Sequence, residues 1–303
     1  MDMTFENLRR ELVKRIEAGN ATKSSHWKAH TKDFSFTNDY RIRGINGFSN
    51  RTRRFPGSRF LHTRNLVKLY PEAKELLQGV DFKNVSDICK SQGREIDSCV
   101  ARNFFTINLL REKKIDFRNS ICVIGDGQAN FVTLALYFKI SKKVISINLN
   151  EVLLSDLDLI ETSTLIDSSE IQIATSKSEV DSFFQDPLKR LLLISSEDLN
   201  LLSNLEIDLF VNIASFQEMT VQQIEQYFEM IKSNRAYLYA CNRTYKKLYG
   251  GEITEFFKYP WGDSTTILDE KCNWHQAFYS LKSIRLYKKL PFDGEIWHRL
   301  IKF

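Results

Sequence analysis

The sequence predicts an α/β protein with a doubly wound, mostly parallel, Rossmann-like sheet and a helical N-terminal region. From residue 120 onward, short apolar runs rich in β-branched residues alternate with stretches of helical periodicity, as expected for βα units. One run leads into Gly125, Asp126 and Gly127, and a helical pattern follows directly. The predicted strands cover residues 121–124, 144–147, 191–194, 209–213 and 236–241. Two later runs, 277–281 and 296–301, are predicted as further strands at an edge of the sheet.

The first part of the chain has a different pattern. Apolar residues share one face of a predicted helix over residues 4–18, which ends at Gly19. Residues 40–64 contain seven arginines, no acidic residue and several Gly and Pro, so they are predicted to form a loop. Helical patterns return over residues 61–115. We therefore predict a helical, basic N-terminal region over 1–115, which could bind a substrate or cover its site, and a second domain over 116–303.

The charge is distributed unevenly. Residues 1–120 carry 24 Lys and Arg against 14 Asp and Glu, although the net charge of the whole chain is only +5. This asymmetry indicates either an anionic ligand near the first part of the chain or a basic segment that is simply solvated.

The five cysteines are scattered and include no CxxC pair, so neither a disulfide framework nor a zinc site is predicted. The candidate histidines His62 and His275 lie far apart in the sequence, and no metal is predicted. No apolar run approaches the roughly 20 residues that span a bilayer, and the N-terminus lacks the pattern of a secretory leader. We therefore expect a cytoplasmic protein with reduced thiols.

The glycine loop is the strongest local motif. Gly125, Asp126, Gly127 and Gln128 follow an apolar strand and precede a helix, where open α/β sheets bind ligands. A dinucleotide fingerprint needs a third glycine, and Asn130 stands there instead. A glycine turn without a ligand is the structural alternative. The G-x-G loop otherwise resembles the first motif of class I methyltransferases, which lies under S-adenosylmethionine.

This resemblance places further cofactor contacts after the next strands. An acid that holds the ribose hydroxyls in that superfamily is matched by Asn148 or Asn150, and an amide can still hydrogen-bond a diol. Beyond the third predicted strand, Glu197 or Asp198 could accept from the adenine amino group. Beyond the fourth, the loop beside the methyl donor would contribute the residues Asn212, Ala214 and Ser215.

Longer motifs resemble a bacterial family of sugar O-methyltransferases. They are Ile-Gly-Asp-Gly at 124–127, Asp-Leu-Phe-Val-Asn at 208–212, Ala-Ser-Phe-Gln-Glu-Met at 214–219, Tyr-Ala-Cys-Asn-Arg at 239–243 and Tyr-Pro-Trp at 259–261. The resemblance covers about half the chain. It implies a class I methyltransferase domain over 116–303, S-adenosylmethionine as cofactor, and a sugar, nucleotide-sugar or surface glycan of capsule or O-antigen type as acceptor. Val123 and Asn148 depart from the acids common at their positions.

Methyl transfer to a hydroxyl group benefits from a general base. Glu218, beyond the fourth predicted strand, is the first candidate, although it could instead cap the next helix or pair with Arg243. His275 is the second candidate, and a buried structural histidine is its alternative.

The predicted acceptor site combines aromatic rings, which suit the apolar faces of sugars, with a guanidinium group, which suits a phosphate or carboxylate. Ordinary aromatic packing and a solvated arginine are the alternatives. The residues proposed are Gln217, Arg243, Tyr259, Trp261 and His62.

Three other functions stay open at this stage. The arginines and phenylalanines of residues 41–64 could serve a nucleic-acid methyltransferase or binding module, although no recognised nucleic-acid motif is present. A nicotinamide-dependent oxidoreductase is disfavoured by the missing third glycine, and Tyr237, Tyr239 and Tyr245 each lack the lysine four positions on that a catalytic Tyr-x-x-x-Lys pair needs. A non-catalytic protein could retain the methyltransferase fold. Homo-oligomers are compatible with the sequence.

Overall fold

The computed structural model describes residues 4–19, 23–44, 58–283 and 286–303. Helices of the described residues are α1 (Phe5–Ala18), α2 (Ser25–His30), α3 (Ser58–Leu69), α4 (Lys74–Gln78), α5 (Val80–Ser91), α6 (Ser98–Glu112), α7 (Asn130–Tyr137), α8 (Asn150–Ser163), α9 (Lys177–Gln185) and α10 (Val221–Ser233). Strands of the described residues are β1 (Ser35–Phe36), β2 (Ile42–Arg43), β3 (Ser120–Ile124), β4 (Lys143–Asn148), β5 (Ile171–Ala174), β6 (Leu191–Ser195), β7 (Leu209–Ile213), β8 (Tyr237–Arg243), β9 (Tyr245–Lys247), β10 (Ile253–Glu255), β11 (Thr265–Lys271), β12 (Ala277–Ser283), β13 (Leu286–Pro291) and β14 (Ile296–Lys302).

The central sheet has the order β11-β14-β8-β7-β3-β4-β6-β5. All neighbouring strands from β8 to β5 are parallel, whereas β14 runs antiparallel to both β8 and β11. The chain turns outward in both directions from β3, so the carboxyl ends of β3, β4 and β7 meet at the switch point. The predicted doubly wound, mostly parallel, Rossmann-like sheet is confirmed.

Side chains alternate between the two faces of the sheet. On β3, Ile121 and Val123 belong to one hydrophobic cluster, and Cys122 and Ile124 belong to the other. The first cluster also contains apolar residues of α1, α5 and α6, so these helices and the sheet share one core. The boundary near residue 115 therefore separates segments that are packed together, and their division into two domains stays a prediction.

The late strands differ from the sequence prediction. The run at 296–301 forms β14, which lies inside the sheet rather than at its edge, because β11 pairs along its outer side. Most residues of β11 are exposed, so it lacks the apolar run that predicts a strand. The run at 277–281 pairs with β13 in a separate two-stranded ribbon. The edge strand β5 was also missed because it is only four residues long.

The arginine-rich segment is only partly described. Residues 58–64, the last part of the segment predicted to form a loop, are instead the start of α3. This helix is stabilised by the burial of Leu66 and Leu69. Residues 45–57, which include Arg51, Arg53 and Arg54, lie outside the described residues. None of the helices in the described ranges combines the length and the apolar character needed to cross a membrane.

A buried ion-pair network joins the N-terminal region to the sheet domain. The guanidinium group of Arg9 on α1 lies 2.7 Å from the Glu161 carboxylate and 3.6 Å from that of Asp158, both on α8. Arg41 binds the same two carboxylates. Burial raises the pKa of Asp158 to about 6 in spite of both arginines. The network therefore depends on both cations to hold two partly desolvated acids.

Arg9→Met is expected to lower the free energy of unfolding by about 2–3 kcal/mol, because it removes one cation from a buried cluster and leaves Arg41 with both carboxylates. Urea unfolding at neutral pH measures the change. Arg10→Met is the matched control: the Arg10–Glu6 ion pair is exposed, and its loss should cost at most about 1 kcal/mol. Equal effects of the two variants would contradict a structural role for the Arg9 network.

Candidate functional site

The loop after β3 has a backbone that only glycine accommodates at its first position. Gly125 has φ +71°, and its N–H donates to the carbonyl of Ile147 at the end of β4. A Cβ at residue 125 would lie 1.8 Å from Ser215 Oγ. Gln128 and Ala129 also have positive φ angles, of 71° and 47°. The loop thus passes tightly between the ends of β4 and β7.

Asp126 stabilises the start of α7. Its Oδ2 accepts a hydrogen bond of 2.7 Å from the backbone N–H of Val132, and burial raises its pKa to about 6. Gly127 donates its N–H to the carbonyl of Gly125 at 3.0 Å. These two residues therefore shape the loop, and both also line the second of the two chambers described below.

The first chamber, which we call the Asn148 chamber, has a volume of about 430 Å³ and lies beyond β4 and β6. It brings together four of the predicted cofactor residues, Gly125, Asn148, Glu197 and Ser215. The Oδ1 atom of Asn148 accepts from the N–H of Leu149, but its Nδ2 is buried without a hydrogen-bond partner. Because an unpaired buried donor is costly, this amide is available to a ligand.

The N-terminal region supplies a wall of the Asn148 chamber that the sequence did not predict. Lys23, Ser24 and Trp27 line it. Lys23 Nζ lies 2.5 Å from the carboxylate of buried Glu151. Ser24 Oγ donates to the carbonyl of Glu218 at 2.5 Å, which ties the start of α2 to the loop after β7. These residues have no periodic or motif signal, and their role follows only from how α2 packs.

The second chamber, the Glu218 chamber, has a volume of about 340 Å³ and meets the first at Gly125. In addition to the glycine loop, the predicted residues that line it are Ala214, Gln217, Glu218, Arg243 and His275. Three of them follow β7, Arg243 ends β8, and His275 follows β11. They lie together because these strands end at the same side of the sheet.

The carboxyl group of Glu218 has a pKa close to neutral pH. It ends a short 3₁₀ helix, Phe216–Glu218, and 25% of its side chain is exposed. Desolvation raises its pKa to about 7, although Arg243 and Lys246 favour the charged form. His26 Nε2 lies 3.5 Å from its Oε2. The N-cap of α10 is Thr220, which rules out the alternative that Glu218 caps that helix.

His26 is a further residue that the sequence did not predict. Burial lowers its pKa to about 4, and neighbouring His30 and Lys246 act in the same direction. The ring is therefore neutral at physiological pH. Its Nε2 can donate to the Glu218 carboxylate or accept from the protonated carboxyl group, depending on the tautomer.

Two guanidinium groups flank one aromatic ring in the Glu218 chamber. The guanidinium carbons of Arg102 and Arg243 lie 5.0 and 5.4 Å from the centroid of Phe292. Arg102 donates to Ser98, whereas Nε of Arg243 is buried without a partner. This arrangement suits a carboxylate or phosphate, which takes hydrogen bonds from guanidinium groups.

His275 is 2% exposed and lies at the wall of the Glu218 chamber. Its Nδ1 is 3.5 Å from Cys241 Sγ, and its Nε2 has no hydrogen-bond partner. Burial and the nearby charges of Arg102 and Arg243 hold its pKa well below the usual range. The imidazole is therefore neutral.

Other predicted residues are placed outside the two chambers. Asn212 is fully buried and donates to the carbonyl of Ile124. Asp198 forms an ion pair with Arg15 at 3.2 Å. The remaining four, which line neither chamber, are Gln128 in the glycine loop, His62 buried on α3, and Tyr259 and Trp261 in the second hydrophobic cluster.

No protein-family model matches the chain, and no curated protein matches it. Among solved structures, the methyltransferase domain of bacterial CtHen1 is 12% identical, with a TM-score of 0.42 and a match covering 67% of this chain and 97% of that one. An S-adenosylmethionine-dependent methyltransferase from Clostridium acetobutylicum is 13% identical, with a TM-score of 0.38 and coverage of 69% and 92%.

TrmK of M. capricolum, solved in complex with the natural cofactor product S-adenosyl-homocysteine, is 13% identical to this chain. Its TM-score is 0.36, and the match covers 64% of this chain and 67% of that one. At such identities and TM-scores these likenesses identify neither a ligand nor an acceptor, and the fold assignment rests on the strand order itself.

Proposed function

We propose that the protein is an S-adenosylmethionine-dependent O-methyltransferase whose acceptor is a hydroxyl group of a sugar, nucleotide-sugar or surface glycan. One observation carries the proposal. Two chambers meet at Gly125, at the carboxyl ends of β3, β4 and β7; one presents an unpaired amide donor and the other a carboxyl group whose pKa is about 7. A nucleoside and an acceptor would then occupy adjacent chambers.

The residues of the Asn148 chamber fit the nucleoside part of the cofactor. The Nδ2 atom of Asn148 would donate to a ribose hydroxyl, which would satisfy its orphaned hydrogen-bonding capacity. The backbone at Gly125 carries no side chain, so a ligand can lie directly against it. Glu197, whose pKa is raised by burial, lines the same chamber and would accept from the adenine amino group.

S-adenosylmethionine supplies a methyl group on a sulfonium, which an acceptor oxygen displaces. Glu218 is the candidate base, because a carboxylate with a pKa near 7 is partly ionised at neutral pH and still basic enough to take a proton. Neutral His26 would orient that carboxylate. His275 stands at the same wall but its unpaired Nε2 is buried, so Glu218 is the better supported of the two catalytic candidates.

The cationic groups of the Glu218 chamber favour an anionic feature on one of the ligands. Arg102 and Arg243 would bind the amino-acid carboxylate of the cofactor or a phosphate of a nucleotide-sugar. Tyr245 on β9, 52% exposed, offers an aromatic face close in sequence to Arg243, and such faces suit pyranose rings. Tyr259 and Trp261, in contrast, pack in the core with Phe228 and Phe256.

The acceptor is tested by incubating the protein with labelled S-adenosylmethionine and three acceptor sets: nucleotide-sugars, surface glycans and bulk tRNA. Label in a sugar hydroxyl is the expected result. Label in RNA with a steep salt dependence would instead support the nucleic-acid alternative. Binding of S-adenosylhomocysteine without transfer to any set would contradict the sugar acceptor, and no binding in calorimetry would contradict the whole proposal.

Asn148→Leu is expected to weaken S-adenosylhomocysteine binding about tenfold, because a lost hydrogen bond of about 1 kcal/mol and poorer packing both reduce affinity. Isothermal titration calorimetry measures the change. Asn150→Leu is the matched control, since Asn150 is buried at the start of α8 and does not line the chamber. An equal loss of affinity in the two variants would show that the amide of Asn148 has no particular role.

A further inference from the structure

Three side chains of types that commonly bind metal ions lie together beside the Glu218 chamber. Cys241 is on β8, Cys272 directly follows β11, and His275 belongs to a short 3₁₀ helix, Asn273–His275. One ligand atom from each lies within 4.8 Å of the others, and their exposures are 1%, 0% and 2%. The strand β14 lies between β8 and β11 in the sheet. The cluster is therefore built from segments whose proximity depends on the late strands.

The geometry of the cluster suits tetrahedral coordination. The distance between Cys241 Sγ and His275 Nδ1 is 3.5 Å. Two such ligands on one tetrahedral zinc ion, with Zn–S of about 2.3 Å and Zn–N of about 2.1 Å, would lie about 3.6 Å apart. His275 makes no hydrogen bond through its other ring nitrogen. Its Nδ1, which faces Cys241 Sγ, is therefore the nitrogen placed for coordination.

The charges around the cluster also favour a cation held by two thiolates. Arg102, 5% exposed, lies close enough to Cys241 and Cys272 to interact electrostatically with both. Two thiolates, one divalent cation and one arginine leave a small net charge.

We propose that Cys241, Cys272 and His275 form a binding site for a thiophilic divalent cation, zinc being the best match. Two sulfur ligands and an imidazole with no carboxylate disfavour magnesium, calcium and manganese. Because His275 also lines the Glu218 chamber, the fourth ligand can come from that chamber as water or a ligand atom. This set of three protein ligands with an open position is one of the arrangements that catalytic zinc adopts. The site stands independently of the proposed methyl transfer.

The test uses the full chain, reduced and stripped of metal, with Co²⁺ as the spectroscopic probe. One equivalent of Co²⁺ should produce thiolate-to-cobalt charge-transfer absorption, and Zn²⁺ should displace it. Cys241→Ala and Cys272→Ala should each weaken binding by at least about a hundredfold. Cys122→Ala is the matched control: Cys122 is fully buried on β3 but lies outside the cluster. It should bind Co²⁺ as the parent protein does.

A second measurement applies if the alanine variants do not fold. Zinc K-edge X-ray absorption of the zinc-loaded parent protein should show two sulfur ligands at about 2.3 Å. Co²⁺ spectra without a thiolate band, or a bound zinc ion without sulfur ligands, would overturn the proposal. Undiminished affinity in both folded cysteine variants would overturn it as well.

Discussion

Gly125→Ala is expected to lower the affinity for S-adenosylhomocysteine by at least about a hundredfold, or about 2.7 kcal/mol. The added Cβ would lie 1.8 Å from Ser215 Oγ and 2.4 Å from Ser215 Cβ, so the loop after β3 or the loop after β7 has to move. Either movement changes the point at which the two chambers meet. Thermal unfolding should also show a loss of about 3 kcal/mol, because strain and overlap add.

Gly93→Ala separates these two causes. Gly93 has φ +77°, close to that of Gly125, but a Cβ there would meet no atom within 4 Å. Its substitution should cost about 1–2 kcal/mol of stability from the left-handed backbone alone and leave ligand affinity unchanged. Combining Gly125→Ala with Ser215→Gly should restore part of the affinity by removing the overlap. Normal affinity of Gly125→Ala itself would show that the ligand does not lie against this loop.

Glu218→Gln is expected to lower kcat by about 10²–10³-fold while sparing cofactor affinity, because an amide cannot take the acceptor proton. The parent enzyme should show an acid limb in its kcat/KM profile near pH 7, where the carboxyl group of Glu218 ionises. The variant should lack that limb. Glu229→Gln is the control, since Glu229 is exposed on α10. A Glu218→Gln enzyme with normal turnover would remove Glu218 from the role of base.

Glu218→Gln, which lowers kcat, is also expected to increase the free energy of unfolding at high pH. The folded pKa of Glu218, about 7, lies above the ordinary glutamate pKa of 4.5. Between these values the folded state binds more protons than the unfolded state, so this group's contribution to stability falls as pH rises from about 4.5 to about 7. Glutamine does not ionise. Relative to the parent, Glu218→Gln should therefore gain stability at pH 8 and not at pH 4, as measured by urea unfolding.

The strands of the parallel half of the sheet, with the exception of β5, could be predicted because their signal is local. Short apolar runs that alternate with helical patterns mark buried parallel strands. The meeting of the glycine loop with the loop after β7 follows from the same reasoning, because parallel strands end at one edge of the sheet. Gly125 and Glu218 therefore come together in the structure as their positions on predicted strands required.

Whether a residue reaches a chamber also depends on the direction of its side chain, which the strand pattern did not predict for several residues. Asn212 follows Val211 on β7, and the pleat turns its amide beneath the glycine loop rather than into a chamber. Tyr259 and Trp261 lie in the second hydrophobic cluster, because burying large aromatic rings is favourable wherever packing allows it. His26 and Lys23 reach the crevice only because α2 is tied to the loop after β7 through Ser24.

The sequence by itself determined the βα order, the glycine loop and the candidate base, because each is encoded by neighbouring residues with a short repeat or a fixed turn. Only the tertiary structure decided that β14 inserts between β8 and β11, that the N-terminal helices share the core of the sheet, and that Cys241, Cys272 and His275 adjoin. These contacts join distant segments. They are selected by the joint burial of apolar faces, which no local pattern specifies.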